Sequence, residues 1–139
     1  MTVNIYVYTT AKPPRKHKTG YAYVLETTPH DKPVTLTAQG VLEDYTKNEA
    51  ELAAVIKALE HLRKPSELRI YTTPFMASAI NGWLEKWEAS GWKTMSGNDI
   101  SENYKRLAEL LKPHTYTAVT EMSTYSQWLQ RTAEEEERK

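Results

Sequence analysis

Apolar Val3, Ile5 and Val7 alternate with Asn4 and Tyr6, the period-two pattern of a strand, which is expected to end near Thr9. The segment from Ala11 to Gly20 has no periodicity and carries two prolines with Lys12, Arg15, Lys16, His17 and Lys18, so it reads as an exposed basic loop. Gly20 to Thr27 and Val34 to Val41 are again strand-like. The polar stretch Pro29, His30, Asp31, Lys32, Pro33 between them supplies turn chemistry, and the three strands together predict an antiparallel meander.

The period then changes. Thr46 and Glu49 form a T-x-x-E capping box, and Leu52, Val55, Ile56, Leu59 and Leu62 follow on one helical face until Pro65. Leu68 to Thr73 predicts a fourth strand, with Thr73 and Pro74 as the N-cap and first residue of the next helix. That helix carries Trp83 and Trp87 and breaks at Ser90 and Gly91, before Trp92. Asp99 and Glu102 make a second capping box ahead of Tyr104, Leu107, Leu110 and Leu111, and Pro113 closes that helix. Thr115 to Glu121 predicts the last strand, followed by a helix through Ala133 and a charged, frayed end over residues 134–139. The order β-β-β-α-β-α-α-β-α describes an α/β mixed sheet flanked by helices, in one domain over residues 1–139.

Composition narrows the function. Hydrophobic residues make up 40% and charged residues 26%, the balance of a globular chain. There is no cysteine, which excludes disulfides and thiolate metal sites. No apolar run is long enough to cross a membrane, and the first ten residues lack a signal-peptide pattern, so a cytoplasmic protein without a membrane partner is expected. Eighteen basic residues balance eighteen acidic ones, leaving no global field for polyphosphate, so nucleic-acid contact would have to be local.

Three segments, in order along nearly the whole chain, carry a family resemblance. Residues 46–54, Thr-Lys-Asn-Glu-Ala-Glu-Leu-Ala-Ala, resemble the TNNRMELMA helix start of type 1 ribonuclease H. Ile70, Tyr71, Thr72 and Thr73 resemble its IYTDS strand end, and Trp83, Trp87, Gly91, Trp92, Lys93 and Thr94 keep the spacing of its substrate-gripping handle. The resemblance implies the RNase H-like fold, a five-stranded mixed sheet in the order 3-2-1-4-5 with the first three strands antiparallel. It also implies a site at the ends of strands one and four, beside the first helix.

The family cuts the RNA strand of RNA–DNA hybrids with two Mg²⁺ ions roughly 4 Å apart, and these need several converging carboxylates. Of the family's four acidic positions, the resemblance places the first on Tyr8, the second on Glu51, the third on Thr73 and the fourth on Gln130. Only Glu51 is acidic, so no metal site and no cofactor are expected; Mg²⁺ would be expected only with the family site intact. Glu121, Asp44 or Glu43 could substitute from neighbouring segments. The plain reading of Glu51 is a glutamate in a capped helix, solvated or paired with a lysine; the alternative is a relic carboxylate bonded to Tyr8 or Thr73.

Nucleic-acid contacts implied by the resemblance fall on Asn48, on Trp87, Trp92 and Lys93 of the handle, and on Lys12, Arg15, Lys16 and Lys18, which stand where the family has a glycine-rich loop. The tryptophans read more readily as core packing than as a binding surface, and the basic loop reads equally as a solvated connector. The leading expectation is an RNase H-like domain that has lost hydrolysis and persists as a binding or scaffold module, with a protein partner or weakly bound nucleic acid. The alternatives are a non-cleaving binder of RNA–DNA hybrid or double-stranded RNA, and an active ribonuclease H using substitute carboxylates.

Overall fold

The computed structural model describes residues 2–11, 17–28, 32–93 and 102–139. Strands β1 (Thr2–Thr9), β2 (His17–Thr27) and β3 (Val34–Tyr45) form the antiparallel meander. After helix α1 (Lys47–Leu59), β4 (Glu67–Tyr71) pairs in parallel with β1, and β5 (Thr115–Val119) pairs in parallel with β4. The sheet order is β3-β2-β1-β4-β5, the mixed architecture expected from the sequence.

Between β4 and β5 lie α2 (Pro74–Ser78), a π-helical turn (Ala79–Trp83), α3 (Leu84–Ala89) and α4 (Glu102–Leu111). In the π turn the Leu84 N–H reaches the Ala79 carbonyl, five residues back. Helix α5 (Ser126–Arg138) ends the chain.

Alternation in β1 divides the molecule into two layers. Val3 and Ile5 face a large core with Leu52, Val55, Leu68, Ile70, Met76 and Leu107. Tyr6 points to the other face, where Ala22, Val24, Leu129 and Ala133 form a smaller core under α5. Each large buried side chain contributes about 1.5–3 kcal/mol, so the first face dominates stability.

Several sequence-based boundaries move. α1 ends at Leu59 rather than continuing to Pro65; backbone bonds from His61 to Ala58 and Leu62 to Leu59 close a turn, and Leu62 packs from there. β3 runs past Val41 to Tyr45, while β5 stops at Val119 and leaves Glu121 in a loop.

Residues 134–138 continue α5 as helix. A Cβ on Gly20 would stand 1.8 Å from the Ala133 carbonyl oxygen and 2.9 Å from the Glu137 nitrogen. Glycine in β2 therefore lets the last turns of α5 lie directly on the sheet, and that packing extends the helix.

Candidate functional site

Parallel pairing of Tyr6 with Tyr71 makes β1 and β4 leave the sheet at the same end. Tyr8 and Thr73, each two residues further on, arrive there together. Thr73 has the extended backbone of an N-cap, and its Oγ1 accepts from the Met76 N–H at 3.5 Å, with Pro74 at the first helical position as the sequence predicts.

Thr73 also faces α1. Its hydroxyl donates to Glu51 Oε1 at 2.5 Å and its backbone N–H donates to Glu51 Oε2 at 3.0 Å. Glu51 is only 6% exposed, so of the two sequence expectations the solvated carboxylate is corrected and the carboxylate bonded to Thr73 is what the fold contains. Helical spacing explains the burial: Ala50, Glu51, Ala54, Val55 and Ala58 lie on the inward side of α1. Burial holds the Glu51 carboxyl above its ordinary range, although the Thr73 hydroxyl, the Thr73 N–H and the Lys47 charge all pull it down.

Two cavities meet at Tyr8 and Thr73. One of about 280 Å³ is lined by Tyr8, Thr10, Lys47, Glu51 and Thr73. The other, of about 340 Å³, has Tyr8, Thr73, Glu121 and Gln130 in its wall. Gln130 donates from Nε2 to Glu134 Oε1 at 3.2 Å within α5. Burial, then the charges of Glu134 and Glu137, hold the Tyr8 phenol above its usual value, so it is neutral at pH 7.

The residues present do not suit a pair of dications. Tyr8, Thr73 and Gln130 are uncharged, and both Glu51 oxygens already accept hydrogen bonds. Glu121 lines the larger cavity but pairs with Arg69 at 3.2 Å. Glu43 and Asp44 are exposed at the end of β3 and line neither cavity. Among the described residues no three His, Asp or Glu side chains gather in a metal-binding arrangement.

The expected nucleic-acid contacts scatter. Asn48 is exposed in the first turn of α1. Trp87 and Trp92 are half-buried against the main core, and Trp87 sits 5.9 Å from the Trp83 ring and 5.0 Å from Tyr104. Gly91 and Trp92 both have positive φ, 72° and 65°, which turns the chain sharply after α3. Lys93 is exposed, and Lys18 donates to the Lys139 main-chain oxygen. Lys12, Arg15 and Lys16 lie outside the described residues, as do Asp99 of the second capping box and Thr94 of the handle.

One cluster escaped the sequence reading. Glu26 of β2 accepts from Tyr125 at 2.5 Å, from Tyr6 at 3.1 Å and from Asn4 at 3.2 Å. Burial works to raise its carboxyl, but these three donors together hold it below the usual range. The signal was the alternation of β1, which puts Asn4, Tyr6 and Tyr8 on one face; the partner could not be read because β2 lies about twenty residues away.

This topology, with a site at the ends of β1 and β4, can be set beside known proteins. A family model described as RNase H matches residues 2–130. The chain belongs to the RNase H family.

Ribonuclease H of Brucella anthropi is 39% identical over 74 residues, 51% of this chain and 48% of that protein. Ribonuclease H of Francisella philomiragia is 32% identical over 101 residues, 70% of this chain and 64% of that protein. The chain thus spans about half to two thirds of the length of these curated relatives. RNase H1 from the archaeon Halobacterium salinarum superposes with a TM-score of 0.62 at 21% identity, over 98% of this chain and 97% of that one. A foamy viral protease–reverse transcriptase, solved with an RNA/DNA hybrid, superposes with a TM-score of 0.71 at 16% identity, over 98% of this chain and 20% of that one. These two likenesses are of fold. Among the described residues no helix of this RNase H-family chain is long and apolar enough to cross a membrane.

Proposed function

We propose that this RNase H-family domain has lost two-metal hydrolysis of RNA–DNA hybrids and persists as a binding or scaffold module. The observation that carries the proposal is Glu51: the one acidic residue among the four positions implied by the family resemblance is buried, and both its oxygens accept from Thr73. A carboxylate used to tie α1 to the start of α2 is a structural acceptor, and three uncharged partners supply no negative potential to gather dications.

A second reading, a non-cleaving binder of RNA–DNA hybrid or double-stranded RNA, is favoured by Asn48. It is exposed in the first turn of α1 beside Lys47, which lines the smaller cavity. Against phosphate at the site stand Glu134 and Glu137, whose charges act on Tyr8. The scaffold reading is therefore preferred. Substitute carboxylates are the weakest reading, because Glu121 is paired and Glu43 and Asp44 lie elsewhere.

Incubating the protein with end-labelled RNA–DNA hybrid and Mg²⁺ or Mn²⁺ is expected to give no cleavage. Cleavage that disappears in Glu51→Ala would overturn the proposal. A gel shift with the same hybrid at low salt separates the two readings: binding tighter than about 1 μM, weakening steeply with salt, selects the binder.

A further inference from the structure

The two edges of the sheet are treated differently. β5, at one edge, is a five-residue strand, and Asn81 of the π turn bonds to its backbone twice. The Asn81 Nδ2 donates to the Ala118 carbonyl and the Ala118 N–H donates to Asn81 Oδ1, each at 2.9 Å. One side chain thus occupies a donor and an acceptor that would otherwise be available to another strand.

β3, at the opposite edge, is twelve residues long. Residues 34–42 contain no charge and no proline, and Val34 and Leu36 are 57% and 43% exposed. Among the described residues no strand pairs with its outer side. Proteins ordinarily blunt such edges with lysine, proline or a bulge. Here the irregularity in pairing with β2 lies only at the far end, near Asp44, whose φ is 59°.

We propose that the β3 edge pairs with the β3 edge of a second copy of this chain, antiparallel about a two-fold axis through Ala38. In that register Val34 faces Leu42 and Leu36 faces Gly40, so like faces of the two sheets stay together. The antiparallel arrangement also turns the end that carries Lys32 toward the end that carries Glu43 and Asp44, at both ends of the pair. The strand is neutral along its middle, and only an antiparallel pair sets Lys32, which follows Asp31 ahead of the strand, against Glu43 and Asp44. This interface lies away from the Glu51 site and goes beyond the function proposed above; it stands whether or not hydrolysis is retained.

A single pair of edge strands is a small interface, so association in the micromolar range is expected. Sedimentation equilibrium from about 1 to about 300 μM should show the mass rising twofold. Leu36→Lys and Thr37→Lys place a charge on either face of the edge. Each should hold the protein monomeric with unchanged circular dichroism and Tm. Lys32→Glu should weaken the dimer severalfold, and adding Glu43→Lys should restore it. A wild-type protein that stays monomeric throughout overturns the proposal, including the case in which the edge serves an extended peptide of another protein. So does a Thr37→Lys variant that dimerises as wild type does.

Discussion

Glu51 is held by two forces of opposite sign. Burial raises its carboxyl above 4.5, and the Thr73 hydroxyl and N–H and the Lys47 charge only partly offset that. An acid raised by folding binds more protons folded than unfolded. Its contribution to stability is therefore fully present below about pH 4.5 and is lost as pH rises through the folded value. Glu51→Gln does not titrate and keeps an acceptor for Thr73. Wild type should therefore lose stability relative to Glu51→Gln as pH rises above about 4.5, read from denaturant midpoints. A wild-type gain over that range would mean the Thr73 bonds outweigh burial. The residue type at position 51 was legible in the sequence through its place in the T-x-x-E helix start. Its role was not, because the donor that partly offsets the cost of burying it comes from position 73, on another element.

Elements in this fold were predicted where their own residues suffice and misjudged where a neighbour decides. The N-cap at Thr46 and the Thr73–Pro74 start are local, and both form. The end of α5 is not local: residues 134–138 alone read as a solvated charged tail, yet Gly20 opens a place for them on the sheet. Gly20→Ala would push a methyl group into the Ala133 carbonyl. It should cost at least about 2 kcal/mol, read as a lowered Tm, with faster proteolysis after Arg131 and Arg138 as α5 lifts. An unchanged Tm would mean that α5 can shift without loss. The Glu26 cluster fastens the other end of the same helix through Tyr125, so the last helix is held at both ends by residues of β2.

At the scale of the whole molecule, the family sheet is present, and the proposed loss of hydrolysis concerns the ends of β1 and β4. Restoring acids at all three neutral positions, Tyr8→Asp, Thr73→Asp and Gln130→Asp, tests that directly. Aspartate is also a good N-cap, so α2 should survive the change at position 73. Carboxylates brought against Glu51 repel one another until a dication screens them. The triple variant should therefore be less stable than wild type without metal, and Mg²⁺ should raise its Tm while leaving wild type unmoved. Absence of a Mg²⁺ effect, with calorimetry showing no binding, would mean that the four positions do not form one site.

Periodicity and caps are properties of neighbouring residues, so the sequence by itself determined the order of elements, the mixed sheet and the family. It also determined which residue types stand at Tyr8, Glu51, Thr73 and Gln130. Only the tertiary structure decided that Glu51 is buried and bonded to Thr73, that α5 lies on Gly20, and that Asn81 bonds to one sheet edge while no strand among the described residues pairs with the outer side of β3. Each of those depends on a contact between residues far apart in the chain. Such a contact exists only once packing brings two surfaces together and makes burial and hydrogen bonding compete at one place.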